Sequence, residues 1–204
     1  MSIHSYSQFG EDVFIAQHFG PEYKGTCINI GATDGINMDN TYHFELNGWK
    51  CISVEANPAL YEQLKNNRMN AVHCAVGQYN NEDVEFKVVT LDGGNQTAIS
   101  ALEIDQRLMD SHAFLNPQKS IVKVKSRTLD SIIADFDWVT QIDFISIDTE
   151  GTELDVLKGF DIPKWNVKMF CIENNFNDPE IEKYLALFGY RKIRRHEVND
   201  FYTL

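Results

Sequence analysis

Three carboxylates, Asp148, Glu150 and Glu173, stand at the ends of apolar runs at 142–147 and 167–172. Acids so placed could take a proton from a hydroxyl, a weak nucleophile that needs a base. Two or three together could instead hold Mg²⁺, which binds oxygen ligands. Glu150, Glu153 and Asp155 also surround a helix start, where acids are stabilised in any case. A further acid, Glu55, ends the short run 51–54 and lies 24 residues after Gly31. That spacing is close to the roughly 20 residues between a glycine turn and an acid that accepts hydrogen bonds from ribose hydroxyls.

The glycine turn itself reads Gly31-Ala32-Thr33-Asp34-Gly35 after the apolar run 27–30. Glycines let backbone approach a ligand, and a following helix N-terminus favours an anionic group. A dinucleotide fingerprint needs a middle glycine for the pyrophosphate. Thr33 and Asp34 stand there instead, which disfavours a nicotinamide-dependent oxidoreductase. Asp34 would repel a pyrophosphate but could attract an ammonium group. The ligand that fits is S-adenosylmethionine, with its ribose, carboxylate, ammonium and cationic sulfur. Two other readings use the same residues: a binding module without catalysis, and an ordinary βαβ turn without ligand.

Strands and helices must hold these groups together. Ser5 to Gln8 has capping-box spacing, predicting a helix over 8–18 in which Gln8, Glu11 and Asp12 are solvated. Asp39 or Asn40 caps a helix carrying Tyr42, Phe44 and Leu46, ended by Gly48. Asn57-Pro58 starts another helix. A third strand is expected over 71–76, with His73 a packed or edge residue. A half-buried strand at 84–91 pairs with one at 121–127. Segment 92–120 reads as a lid or acceptor-binding insertion, with a capping box and short helix from Ser100 to Met109. Helices follow over 128–136, from a capping box at Thr152 to Gly159, and over 179–188. A closing hairpin, 190–195 and 201–204, turns at Asn199-Asp200, with Arg191, Lys192, Arg194 and Arg195 on its solvated side.

Alternating strands and helices predict an α/β domain with a mostly parallel sheet. Ligands of such sheets bind at the carboxyl ends of the strands. Gly31, Glu55, Ala75, Asp148 and Glu173 all follow predicted strands and should share one rim.

The strings I-N-I-G-A-T-D-G from Ile28, G-W-x-C-x-x-V-E-A-N-P from Gly48 and I-D-F-I-S-I-D-T-E-G-x-E-x-x-V-L-K-G-F from Ile142 resemble the FkbM family of S-adenosylmethionine-dependent methyltransferases. Asn40-Thr41 and the early S-Q-F-G-E-D are also similar, and the likeness covers nearly the whole chain. It differs at Thr33, where the family more often has Asn. The resemblance implies a class I methyltransferase fold: a Rossmann-like seven-stranded sheet, last strand antiparallel, with helices on both faces. It also implies methyl transfer to a hydroxyl of a sugar, glycan or small natural product. Gly31, Ala32 and Gly35 would then bound the methionine end of the cofactor, Glu55 hold the ribose, and Ala75 and Val76 line the adenine. Asp148 would face the transferring methyl. The candidate cofactor contacts are Gln8, Gly31, Ala32, Asp34, Gly35, Asn40, Glu55, Ala56, Asn57, Ala75, Val76 and Asp148.

The chain of 204 residues suits one domain, with 92–120 as its insertion. A net charge of −12 argues against nucleic acid or an anionic membrane as partner. No apolar run reaches the 18 or so residues of a membrane span, and the opening residues lack the pattern of a secretion signal. Four cysteines without metal-type spacing read as buried reduced thiols. These features predict a cytoplasmic enzyme with a small-molecule or carbohydrate acceptor.

Overall fold

The structure, a computed structural model, describes residues 4–90, 100–102, 106–111 and 118–204. In chain order the elements are α1 (Glu11–Phe19), β1 (Thr26–Ile30), α2 (Tyr42–Leu46), β2 (Lys50–Glu55), α3 (Pro58–Asn67) and β3 (Ala71–His73). Next come β4 (Ala75–Val76), β5 (Asn81–Thr90), α4 (Gln106–Ser111), β6 (Gln118–Arg127) and α5 (Leu129–Ile133). The chain continues with β7 (Phe144–Ile147), α6 (Glu153–Lys158), α7 (Ile162–Trp165), β8 (Met169–Glu173), α8 (Glu180–Ala186), β9 (Arg191–His196) and β10 (Asn199–Thr203).

Seven strands form one sheet in the order β3-β2-β1-β7-β8-β10-β9. Only β10, the last strand of the chain, runs against its neighbours. This is the class I methyltransferase arrangement that the resemblance implied. The central strands are buried on both faces, as parallel sheets require, so they read as unbroken apolar runs. Side chains alternate between two cores. Ile28, Ile30, Ile52 and Ile145 pack under Leu129 and Ile132 of α5, Val156 and Leu157 of α6 and Leu185 of α8. Cys27, Cys51, Phe144 and Met169 face Ile15 of α1 and Phe44 of α2. All four cysteines are buried and free.

A second sheet, β4-β6-β5, joins the long antiparallel β5–β6 pair to the rim of the first. The pairing of these two strands follows the expectation. The single strand expected over 71–76 does not form, because its halves serve different sheets. Ala71–His73 pairs with β2, and after Cys74 the chain crosses to pair Ala75 and Val76 with β6. His73 is at the sheet edge, exposed and stacked on Tyr61.

Other local expectations gave way to tertiary contacts. The first helix begins at Glu11, not at residue 8, because Gly10 takes φ 91° and ends the preceding loop. Glu11 and Asp12, expected in solvent, are fully buried. The Asp12 carboxylate accepts from the Ser5 and Ser7 hydroxyls and the Tyr6 N–H, so it organises the loop before the helix. Leu46, at the end of α2, is exposed. Ala101 bridges to Lys87 in the small sheet, so no helix starts at Ser100. Residues 103–105 of that expected helix, and most of the 92–120 insertion, lie outside the described residues. The hairpin turns at Glu197 (φ 50°), while Asn199 and Asp200 lie buried in β10. Asp200 draws in Lys192 at 3.2 Å and Arg195 at 3.1 Å, so these two are not simply solvated. Helix α7 was not foreseen.

One glycine governs the separation of β1 and β7. A Cβ on Gly31 (φ 84°) would lie 1.8 Å from the Asp148 carbonyl oxygen. Gly48 has a similar φ of 86° but meets only the Lys24 side chain, at 3.9 Å. Gly48→Ala should therefore cost about 1–2 kcal/mol, the backbone penalty alone. Gly31→Ala should cost roughly 4 kcal/mol or more, as the strand ends must separate. Urea denaturation of the two variants checks this, and equal losses would contradict it.

Candidate active site

The carboxyl ends of β1, β2, β7 and β8 meet at one rim. Beyond β1, the Gly31 and Ala32 amides both donate to the Val54 carbonyl at 3.0 Å, which folds the loop over β2. Thr33 takes a left-handed φ of 47° and donates its N–H to Glu55 Oε2 at 2.9 Å. Glu55 Oε1 accepts from the Asn57 N–H at 2.7 Å. Asn57 caps α3 as its sequence predicted, accepting from the Ala59 N–H at 3.1 Å. Burial pushes the Glu55 carboxyl up to about 7 despite these amides.

Beneath the loop lies a buried cation that the sequence reading missed. Arg68 donates to Asp39 at 2.9 Å, Glu45 at 2.7 Å, the Thr41 hydroxyl at 2.9 Å and the Gly35 carbonyl at 3.2 Å. Asp39 in turn accepts from the Thr41 and Tyr42 amides and from Asn29. Asp39 therefore caps α2 from two positions before its boundary residue, Thr41. A single Arg gave no motif by which to find this role.

A cavity opens above the loop. Gly31, Thr33, Glu55, Ala56, Ala75, Val76 and Asp148 line it, and Phe86, Ala101 and Leu102 of the second sheet roof it. The structure thus gathers much of the expected cofactor set at one place, with Glu55 and Asp148 facing the same space. Ala32 is buried behind it. Asp34 turns away to accept from the Ile36 and Asn37 amides. Gly35 packs on Arg68 and Leu64. Asn40 donates to the Ser146 hydroxyl at 3.0 Å, and Gln8 is exposed in the segment before α1. The roof residues were missed, because an alternating strand does not announce which ligand its buried face covers.

The acids form a tighter group. Carboxylate oxygens of Asp148, Glu150 and Glu173 lie within 4.8 Å of one another. Glu153, close by, is held by the Thr149 and Gly151 amides at 3.0 Å and the Thr149 hydroxyl at 3.1 Å. It replaces the predicted capping box, for Thr152 makes no side-chain cap bond. Burial and the neighbouring Glu153 and Glu11 charges push Asp148 up to about 7, against a hydrogen bond with Glu173. Burial, then the Asp148 charge, raises both Glu150 and Glu173 well above the carboxylate range. Like charges so close cannot all ionise, so the group retains protons near neutral pH. Asp148 Oδ1 is buried with no hydrogen-bond partner among the described residues. Glu150 and Glu173 line a second cleft of about 660 Å³, with Glu153, Asn174, Phe176 and Asp178. The two spaces therefore meet at the acids.

Residues 29–192 match the family model described as Methyltransferase FkbM domain. The chain belongs to the FkbM methyltransferase family. Methyltransferase FkbM from Methylobacillus flagellatus KT, known from a crystal structure, is 14% identical and shares the fold at a TM-score of 0.60. The alignment covers 99% of this chain and 49% of that one, so this chain spans about half its length. A putative RNA methyltransferase from Pyrococcus horikoshii matches at TM-score 0.46 and 13% identity, over 97% of this chain and 88% of that one. The METTL16 MTase domain matches at 0.47 and 12%, over 94% and 64%. No curated protein matches. No helix among the described residues is long and apolar enough to cross a membrane.

The raised Asp148 carboxyl has a consequence for stability. Its pKa lies above the ordinary 3.8, so its contribution is complete below that pH and is lost as pH rises through about 7. Wild type should lose stability relative to Asp148→Asn between pH 4 and 7, by about 3–4 kcal/mol. Urea melts across this range test it; a constant difference would show that the carboxyl is not desolvated.

Proposed function

We propose that this protein is an S-adenosylmethionine-dependent O-methyltransferase acting on a hydroxyl of a sugar, glycan or small natural product. The observation that carries the reading is the position of Asp148: it lines the first cavity and lies among acids that line the second. Family membership supports methyl transfer in general.

The first cavity fits the cofactor in its chemistry. Each Glu55 oxygen accepts one amide and keeps lone pairs for ribose hydroxyls. Ala75, Val76, Phe86 and Leu102 offer apolar walls for a base. When bound there, S-adenosylmethionine supplies an activated methyl whose bond to sulfur breaks as its bond to the acceptor oxygen forms, the electron pair staying on sulfur.

What remains for the chain is alignment, exclusion of water and removal of one proton. Asp148 takes the hydroxyl proton at its unpartnered Oδ1. Its raised pKa keeps it basic enough to do so near neutral pH, and Glu173 steadies it by a hydrogen bond. Glu153 and Glu11 add negative charge that favours proton uptake. The oxygens of these three acids are also of the kind that Mg²⁺ takes, but the reading does not require the ion. The charge of −12 and the acid-lined second cleft support a neutral or cationic acceptor over nucleic acid.

Calorimetry with S-adenosylhomocysteine should show about tenfold or greater loss of affinity in Glu55→Ala, since a desolvated hydrogen-bonding carboxylate is removed. Asp148→Asn should keep that affinity and lose about 10²–10⁴-fold in transfer of a labelled methyl to hydroxylated acceptors. Unchanged turnover in Asp148→Asn would remove it as the base.

A further inference from the structure

We propose that the second cleft is the acceptor site and that it selects a hydroxylated acceptor carrying a protonated amine, such as an amino sugar, over neutral or phosphorylated analogues. The placing of the reacting hydroxyl rests on the methyl-transfer reading above; the charge preference does not.

The cleft lining is one-sided. Glu150, Glu153, Glu173, Asp178 and Glu180 contribute to it, and no Lys, Arg or His does among the described residues. Most acids of the region have donors. Glu153 has three, and Glu173 shares a hydrogen bond with Asp148. Glu150 has none: it makes no hydrogen bond or ion pair with a described residue, yet is only 8% exposed. It also sits at φ 59°, a conformation that a non-glycine residue adopts only when its surroundings enforce it. Burial and the Asp148 charge disfavour the charged form of this unpartnered carboxyl, and a cation placed beside it stabilises that form.

The mouth of the cleft already holds a cation. Arg107 of α4 reaches Asp178 with contacts of 2.6 and 3.3 Å, and its guanidinium carbon stands 4.0 Å from the centre of the Phe176 ring. An aromatic face beside a carboxylate is a recognised seat for such groups. The cleft extends past the acids to Phe176 and Ile181, which offer nothing to a metal ion. The net charge of −12 adds a field that draws cations and repels phosphate.

The test is calorimetry on the full chain saturated with S-adenosylhomocysteine. Glucosamine and galactosamine are titrated against their N-acetylated forms, glucose 6-phosphate and MgCl₂ alone. Each amine should bind about tenfold or more tightly than its N-acetyl form, as expected for one desolvated charge pair. Glu150→Gln, which removes the charge at nearly constant shape, should narrow that preference to about twofold or less. Acetylated forms binding as well as the amines, no binding by either amine, or a preference that survives Glu150→Gln would overturn the proposal. So would tight binding of MgCl₂ alone that abolishes the preference, since the acids would then hold an inorganic cation. A protein that fails to bind S-adenosylhomocysteine yet still prefers the amines would overturn the methyl-transfer reading and leave this one standing.

Discussion

Between the ends of β1 and β7 there is no room for a side chain. The backbone of Gly31 lies so near the Asp148 carbonyl that a Cβ would sit 1.8 Å from its oxygen. That contact lets the two strands stay paired up to their last residues, with the Asp148 N–H donating to Ile30 at 3.0 Å. It also lets the loop fold back over β2 and bring Thr33 onto Glu55. Were the strand ends further apart, Glu55 and Asp148 would not face one cavity. The site depends on this approach more than on any single functional group.

Around that contact the acids divide into two kinds. Asp12, Asp39, Glu55, Glu153 and Asp200 are buried but satisfied by amides, hydroxyls or cations, and each fixes a loop, a cap or a strand pair. Arg68 belongs with them, for it converts two acids and a loop carbonyl into a rigid floor. Asp148 Oδ1 is buried without a partner, and Glu150, which has none either, faces the second cleft. Buried polar groups in proteins are almost always paired, so an unpaired one marks a place where stability was given up for something else. Both lie where the two cavities meet, which is where a reaction between two ligands would occur.

The second sheet has a bearing on access. Its strands β5 and β6 carry Phe86 and Val88 against Ala75 and Val124, a small core separate from the main one. Through Phe86 and the Ala101–Leu102 segment it closes the cavity from above. Closure excludes water and strengthens every electrostatic interaction within. The same insertion carries Arg107 to the rim of the acid-lined cleft.

Much of this was legible in the residues. The buried strands announced themselves because a parallel strand is apolar on both faces, and the helix starts at Asn57 and Thr128 because capping is local chemistry. The family strings picked out residues at the strand ends, and Gly31 stands at the end of β1 with its backbone against Asp148. What sequence could not reveal was the fate of polar side chains whose partners are far along the chain. Glu11 bonds Asn199 from 188 residues away, and Arg68 is likewise buried against Asp39, Thr41 and Glu45, groups that no local pattern links to it. Nor could it show that residues 71–76 divide between two sheets, since both halves have strand character and only the third dimension supplies two partners. Sequence by itself determined the strands, the glycine turn and the presence of acids at strand ends, because these follow from short-range sterics and periodicity. Tertiary structure alone decided which of those acids are satisfied and which are left open, because burial and hydrogen-bond partnership are properties of the packed chain.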